Sequence, residues 1–270
     1  MLCPNLLQNM KTALAKQKAT ALVTITSHFD PMFIGKKFLV WEDGHFNNEP
    51  ELEIIYASFK DLYLSLIQKQ KTKCIRSMIN EQEVECFVEI YLPRPQLIIA
   101  GGGHVCEPVV QMASLLGYYI TVVDDRSEFA RKERFPLADE VICAGYLDYF
   151  QKCPLTNHTW ILLLTRGHQF DVMSLQELLK RMETPAYIGM IGSRRRIAGV
   201  FEQLKQEFPA TAFDSIYTPV GLDIGAESPA EIAVSIFAEM LMVKNNKSGD
   251  SLSQETRHLA KLGFRGGKSE

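Results

Sequence analysis

The sequence contains a glycine-rich turn of the kind that binds the phosphates of nucleotides. Gly101, Gly103 and Cys106 occupy the three positions of a G-x-G-x-x-G/A pattern, directly after the apolar run Leu97–Ala100. The first glycine of such a pattern allows a tight turn, and the second lets a pyrophosphate approach the backbone at the start of a helix. Cys106 fills the third, small position only loosely. The turn predicts a bound nucleotide-like ligand; the alternative is a similar turn with an empty or blocked crevice.

An acidic residue follows this turn at the spacing expected for recognition of a ribose. Asp124 stands roughly 20 residues after Gly103, at the end of the predicted strand Tyr119–Val123. We interpret Asp124 as the candidate that accepts hydrogen bonds from a ribose diol, and Arg126 as either its ion-pair partner or a phosphate contact. His104 could bind a ligand, exchange a proton near neutral pH, or only cap the helix.

A second glycine turn, before a basic helix, predicts an anion site. Gly192 and Ser193 follow the predicted strand Ala186–Ile191, and Arg194 and Arg195 fall in the first turn of the next helix. Arginine at that position opposes the helix dipole. An anion between the guanidinium groups and the free backbone N–H groups would offset this unfavourable electrostatic interaction. A solvated basic helix face is the alternative.

Two further loops contain polar residues. Gly221, Asp223 and Gly225 precede a well-capped helix and could form part of a site, or simply an ordered loop. His168 and Asp171, three positions apart, could orient a substrate or bind a metal together. Two ligands do not make a metal site, and we predict none.

Alternating strands and helices must position these loops. The order from Gln96 onwards predicts right-handed βαβ units and a parallel, Rossmann-like sheet, whose ligands bind beyond the carboxyl ends of the strands. The predicted strands are Leu97–Ala100, Tyr119–Val123, Glu140–Cys143, Trp160–Leu164, Ala186–Ile191 and a short one near Ile216-Tyr217. The predicted helices lie near Glu107–Leu116, Glu128–Arg134, Tyr146–Gln151, Leu175–Glu183, Arg194–Phe208 and Pro229–Val243.

The first 92 residues have a different pattern, which predicts a smaller α+β domain. Pro93 and Pro95 indicate the boundary, so we predict domains 1–92 and 93–243 and a mobile tail 244–270. Within this tail, Thr256–Phe264 could form a short helix on contact with a partner. The N-terminal elements are a helix after Pro4, a strand at Ala21–Thr26, a hairpin around Asp43-Gly44, a helix at Glu51–Gln68, and strands near Thr72–Ile79 and Glu83–Tyr91.

Composition excludes several classes of partner. The chain has 270 residues, 46% of them hydrophobic and 23% charged, with a net charge of −3. These values are typical of a globular protein without a general affinity for nucleic acid or anionic membranes. No apolar run is long enough to cross a bilayer, and we expect a cytoplasmic location. The six cysteines lack metal-ligand spacing; Cys106 is singled out because a helix start can stabilise a thiolate.

Taken together, the motifs resemble the xanthine dehydrogenase accessory protein family, the XdhC/CoxI family. The similar stretches are GGGH, VVDDR, YIGMIGSRRR and PVGLDIGAESPAEIAVSI, within residues 93–242. The resemblance implies a small N-terminal domain followed by a Rossmann domain. It also implies a protein that binds the molybdenum cofactor, assists its sulfuration and passes it to a molybdenum hydroxylase such as xanthine dehydrogenase. A homodimer, and a cysteine desulfurase as a further partner, are part of the same expectation.

On this interpretation the cofactor is molybdopterin or its cytosine dinucleotide, and no catalytic residue is assigned. An NAD(P)-dependent oxidoreductase and a non-catalytic nucleotide-sensing or scaffold protein remain as alternatives. The predicted cofactor-binding residues are Gly101, Gly103, His104, Asp124, Arg126, Gly192, Ser193, Arg194, Arg195, Gly221, Asp223 and Gly225.

Overall fold

The structure is a computed structural model, which describes residues 3–47, 50–253 and 256. The chain divides into two compact units, Met1–Arg94 and Pro95–Glu270, close to the boundary that the two prolines indicated. The predicted helix Thr256–Phe264 lies outside the described residues apart from Thr256, and so does most of the predicted tail. Each unit has its own sheet and its own buried hydrophobic residues.

The first unit is the α+β domain expected from the sequence. Its strands form an antiparallel sheet in the order β2-β1-β4-β3, and Ile55, Phe59 and Tyr63 of one helix are buried in the core against it. That spacing of about one turn places the three side chains on a single helix face. The elements are α1 (Pro4–Ala15), β1 (Thr20–Ser27), β2 (Lys37–Trp41), α2 (Glu53–Lys69), β3 (Lys73–Ile79) and β4 (Gln82–Tyr91).

The second unit is an α/β domain with a parallel sheet, as predicted. Its strand order is β10-β9-β8-β5-β6-β7, and every pairing within it is parallel. The elements are β5 (Gln96–Ala100), α3 (Cys106–Leu115), β6 (Tyr119–Asp124), β7 (Glu140–Cys143), α4 (Tyr146–Lys152), β8 (Thr159–Leu163), α5 (His168–Lys180), β9 (Tyr187–Met190), α6 (Arg194–Leu204), β10 (Ile216–Tyr217) and α7 (Pro229–Lys244).

Helices cover both faces of this sheet, which explains the uninterrupted apolar runs in its central strands. Leu97 and Ile99 of β5 join the core formed with α3 and α7, whereas Ile98 and Ala100 join the core formed with α4, α5 and α6. All four side chains are buried. The alternation of neighbours to opposite faces therefore divides one strand between two hydrophobic cores.

Two predicted helices differ from the structure. Residues 128–134 form turns rather than a helix, because their polar groups serve tertiary contacts; for example, Arg134 Nη1 donates to the Gly102 carbonyl at 2.8 Å. The helix predicted from Leu175 begins at His168. Its first two turns include the polar residues His168, Gln169 and Asp171. These residues interrupt the helical spacing of apolar residues from which the helix was predicted.

The strand order places the crevice of the domain beside β5. From β5 the chain proceeds through α3 to β6 and β7 on one side, and then crosses to β8, β9 and β10 on the other. Ligands of open parallel sheets bind where the direction of winding reverses, beyond the carboxyl ends of the strands. We call this side, where β5, β6, β8 and β9 end, the carboxyl edge.

The glycine turn Gly101–Gly103, which follows β5, is fixed by close backbone packing. Gly101 has a φ of +118°, and a Cβ on it would lie 2.3 Å from the Leu164 carbonyl oxygen. A Cβ on Gly102 would lie 2.9 Å from the Phe129 carbonyl oxygen, whereas one on Gly103 would meet nothing within 4 Å. The fold itself therefore explains the first two glycines, and only Gly103 has open space beside it.

Alanine substitutions at Gly101 and Gly103 should separate these requirements. We expect Gly101→Ala to lower the free energy of unfolding by about 2–4 kcal/mol, since it combines an unfavourable φ with a backbone clash. Gly103→Ala should change it by less than about 0.5 kcal/mol. Urea denaturation followed by circular dichroism measures both values, and equal losses would contradict this account of the turn.

Candidate functional site

The carboxylate of Asp124 holds the glycine turn from inside the protein. It is fully buried and accepts a hydrogen bond from the Gly102 amide at 2.7 Å. Arg126 donates to it from its backbone N–H at 3.0 Å and from its guanidinium Nε and Nη2 at 2.9 Å each. The residue predicted to meet a ribose is thus turned inward with both oxygens engaged, and the structure shows the predicted alternative, a pair with Arg126.

The ionised form of Asp124 is favoured by these donors. Burial by itself raises the pKa of the carboxyl, but the hydrogen bonds from Arg126 and from the Gly102 amide outweigh it, so the pKa lies below its ordinary value. The charge on Asp124 is therefore part of the folded structure.

Two arginines enclose the loop that follows Asp124. The guanidinium carbon of Arg126 lies 3.5 Å from the centroid of the Phe129 ring, and that of Arg134 lies 4.9 Å from the same ring, a stacked cation–π arrangement. Arg134 also donates to Glu107 Oε1 at 2.7 Å. Glu107, in the first turn of α3, is thereby paired, which reduces its repulsion of an anion near the glycine turn.

Cys106 is not a reactive thiol in this structure. Its side chain is fully buried beneath the start of α3, and burial raises the pKa of the thiol well above its ordinary value. The expectation of a stabilised thiolate is therefore wrong, because desolvation outweighs the favourable field at the helix start.

A buried ion pair ties the loop after β8 to the start of α6. Arg196 donates to Asp171 Oδ2 from Nε at 2.6 Å and to the Thr165 carbonyl from Nη2 at 2.9 Å, while the Thr165 hydroxyl donates to Asp171 at 2.5 Å. Asp171 has no exposed surface. Removing one partner of such a pair costs about 3–5 kcal/mol, so Arg196 is a structural residue.

His168 and Asp171, which the sequence offered as a candidate pair, have separate neighbours in the structure. Asp171 is bound to Arg196 and Thr165, and the His168 ring packs beside Gly199, where a Cβ would lie 3.2 Å from His168 Cε1. In the part of the chain that the structure describes, no three His, Cys, Asp or Glu side chains are grouped closely enough to hold a metal ion.

Arg194 and Arg195 remain available at the start of α6. Both are exposed, and within the described residues neither forms an ion pair. Ser193 caps the helix as predicted by accepting a hydrogen bond from the Arg196 amide. The first turn of α6 thus combines two unpaired cations with the positive end of the helix dipole, the arrangement that an anion prefers.

A second ion pair joins the loops after β8 and β6. Arg166 donates from Nη1 and Nη2 to the two carboxylate oxygens of Asp125, at 2.8 and 2.9 Å, and its guanidinium carbon lies 4.4 Å from the Phe170 ring centroid. The two side chains are 39% and 24% exposed. A partly exposed pair of this kind contributes about 1 kcal/mol or less. The sequence analysis selected the neighbouring Asp124 and Arg126 as site residues and did not predict the pair of Arg166 with Asp125.

Close packing explains one of the two glycines in the loop before α7. Gly221 has a φ of +103°, and a Cβ on it would lie 2.3 Å from Ser235 Oγ; its amide donates to the buried Glu239 at 3.0 Å. Gly225, with a φ of +75°, has nothing within 4 Å. Asp223 is exposed, and no hydrogen bond or ion pair in the described residues connects it to the carboxyl edge.

Comparison with known proteins places the second unit in a family. Residues 97–240 match the model of the XdhC Rossmann domain. The chain belongs to the XdhC family. The resemblance drawn from the glycine and arginine motifs is therefore confirmed.

Relatives of this XdhC-family chain are larger proteins. It is 32% identical over 166 residues to the uncharacterized protein YqeB of Escherichia coli K12, covering 60% of this chain and 30% of that protein. It is 31% identical over 208 residues to a Bacillus subtilis 168 protein named as a probable xanthine dehydrogenase subunit, covering 75% and 56%. The chain therefore spans less than two thirds of either relative.

A crystal structure from Bacillus halodurans, described as that of a xanthine dehydrogenase, shares the fold. The TM-score is 0.53 at 21% identity, covering 91% of this chain and 97% of that one. Among the described residues of this XdhC-family chain, none of the helices is long and apolar enough to cross a membrane.

Replacing the Asp124 carboxylate tests its role in the turn. We expect Asp124→Asn to lower the free energy of unfolding at pH 7 by about 2–4 kcal/mol, since Arg126 loses its buried partner. Because the folded pKa is depressed, this stabilisation is fully present above about pH 4 and is lost as the pH falls through the folded pKa. Urea titrations at pH values from 7 to 3 should show the free energies of unfolding of the wild-type and Asp124→Asn proteins becoming equal. The exposed Asp214→Asn serves as control, and a pH-independent difference would contradict the assignment.

Alkylation tests the state of Cys106. With iodoacetamide at pH 8, peptide mapping of the folded protein should show modification of the exposed Cys3, Cys74 and Cys143. Cys106 should react only after unfolding, because its thiol is buried and protonated. Modification of Cys106 in the folded protein at the rate of the exposed cysteines would contradict its burial.

Proposed function

We propose that this XdhC-family chain binds the molybdenum cofactor, as molybdopterin or its cytosine dinucleotide, at the carboxyl edge and supports its sulfuration and transfer to a molybdenum hydroxylase. The observation that carries the proposal is that some arginines at this edge are bound to groups of the protein, whereas others are exposed. Arg126, Arg134 and Arg196 are bound to groups of the protein, whereas Arg194 and Arg195 are exposed at a helix start. This arrangement favours a phosphorylated ligand.

The residues present fit the anionic part of such a cofactor. Its phosphate or pyrophosphate would be held by the Arg194 and Arg195 side chains and the free N–H groups at the start of α6. The space beside Gly103 would admit the ligand to the backbone, whereas Gly101 and Gly102 face protein carbonyls. When bound, the cofactor supplies the redox chemistry that a hydroxylase needs; this chain binds, orients and shields it.

The proposed partners follow from the relatives and from the cysteines. The name of the Bacillus subtilis relative, a probable xanthine dehydrogenase subunit, supports a xanthine dehydrogenase as the client. Since Cys106, the cysteine that follows the glycine turn, is buried, we assign the sulfur donor to a separate protein, such as a cysteine desulfurase. A homodimer is part of the same proposal, as is action in the cytoplasm.

Binding measurements on the whole chain test the cofactor proposal. Molybdenum cofactor released from a purified hydroxylase, NAD and NADP are titrated separately under anaerobic conditions. We expect the cofactor alone to bind tightly. Arg194→Ala with Arg195→Ala should weaken binding by about 10- to 100-fold, the loss expected for one or two charge-assisted contacts. Gly103→Ala should weaken binding without loss of stability.

The control removes two positive charges at the C-terminal ends of helices, away from the carboxyl edge. Lys152→Ala with Lys180→Ala changes the last turns of α4 and α5, and it should leave cofactor affinity unchanged. Unchanged affinity in the arginine variant would overturn the anion site. Binding of NAD or NADP with turnover would favour an oxidoreductase instead, and a protein that binds none of the three ligands would favour the scaffold alternative.

A further inference from the structure

The ion pair of Arg166 with Asp125 joins two loops that lie on either side of the glycine turn. We propose that it is a latch that selects a ligand carrying a pyrophosphate next to a ribose diol, that is, a nucleoside diphosphate group. On binding, a phosphate oxygen takes the place of the Asp125 carboxylate on Arg166, and the released Asp125 accepts hydrogen bonds from the two ribose hydroxyls. The inference rests on the proposed function and favours the dinucleotide form of the cofactor.

Strand order puts the latch across the predicted crevice. β5 lies between β8 and β6 in the sheet, and neighbouring strands are about 4.8 Å apart. Arg166, from the loop after β8, and Asp125, from the loop after β6, therefore meet by spanning the end of β5, where the glycine turn begins. A ligand that enters beside Gly103 comes into the neighbourhood of this pair.

Asp125 is the acidic residue at the end of β6 that can reach a ligand. A carboxylate at the end of the second strand of such a domain recognises the ribose diol. Asp124 is fully buried and accepts hydrogen bonds from Gly102 and Arg126. Asp125 is 24% exposed. Its carboxylate accepts hydrogen bonds from Arg166 and also lies 4.0 Å from Arg126 Nε.

Arg166 is the arginine of this edge that can exchange its partner at low cost. Arg126 and Arg196 each bind a carboxylate with no exposed surface, and neither can leave without stranding a buried charge. Arg166 instead holds a partly exposed carboxylate and stacks on Phe170, which keeps its planar group in place. A phosphate offers it the same bidentate geometry as the carboxylate.

The position of α6 brings the latch close to the anion site. Arg196 Nη2 donates to the carbonyl and the hydroxyl of Thr165, so the first turn of α6 is fastened to the residue that precedes Arg166. In the proposal, a pyrophosphate held by Arg194 and Arg195 extends from the start of α6 toward Arg166. One ligand can then contact the start of α6 with one phosphate and the latch with the other.

Calorimetric titration of the whole chain with CDP, 2′,3′-dideoxy-CDP and inorganic pyrophosphate tests the latch. The wild-type protein should bind CDP about tenfold more tightly than dideoxy-CDP, the difference that a hydrogen-bonded diol produces. Asp125→Asn should abolish this preference. The same variant should bind inorganic pyrophosphate about three- to tenfold more tightly, because Arg166 no longer has a competing carboxylate. Arg166→Gln should weaken binding of all three probes and retain the preference for CDP.

Outcomes of these titrations separate the latch from the proposed function. Equal affinities of the wild-type chain for CDP and dideoxy-CDP would overturn the latch without the need for any variant. If the released cofactor binds in a manner that depends on Arg194 and Arg195, but Asp125→Asn changes neither comparison, the latch is wrong and the proposed function stands. If the probes behave as expected and the cofactor does not bind, the latch stands and its ligand is another nucleotide. Absence of binding by all of them would overturn both.

Discussion

The buried carboxylate of Asp124 is the constraint on which the carboxyl edge of this protein depends. It connects the end of β6 to the Gly102 amide and fixes Arg126 in the same contact. On the other side, Gly101 is packed so closely against the Leu164 carbonyl that no side chain fits there. The turn is therefore held between the loops that follow β6 and β8. A buried charge of this kind is stable only while its partners are in place, so the geometry of the edge is maintained as a unit.

Pairing of charges divides the arginines of this edge into two groups with different roles. Arg126 and Arg196 are bound to carboxylates that have no contact with solvent, and they hold loops together. Arg194 and Arg195 are exposed, and Arg166 has a partner that is itself partly exposed. Breaking a buried pair costs several times as much as opening an exposed one. This difference in cost, rather than the number of positive charges, determines which side chains can respond to an anionic ligand.

Sequence patterns predicted most elements because local rules and tertiary packing agree at those positions. The continuous apolar run of β5 matches a strand buried on both faces, and Ser228 and Glu231 form the capping box that opens α7. Prediction was wrong where side chains have distant partners. The segment around Phe129 has helical character in the sequence, yet it forms turns in which Arg134 donates to the carbonyl of Gly102, 32 positions away. Cys106 fits a helix start in the sequence, but the burial that makes its thiol inert comes from the core.

The sequence by itself determined the type of fold, the family, the positions of the loops that meet at the carboxyl edge, and the capped, arginine-bearing start of α6. Those features depend on apolar period, glycine positions and capping residues, all of which are local. Only the tertiary structure decided which charged residues are free. Asp124 and Asp125 are adjacent and chemically identical, and no local pattern distinguishes them. One is enclosed by the glycine turn and Arg126, and the other meets Arg166, which lies 41 positions away in the chain. Burial and long-range pairing assigned their roles, because the energy of a charge depends on its surroundings rather than on its neighbours in sequence.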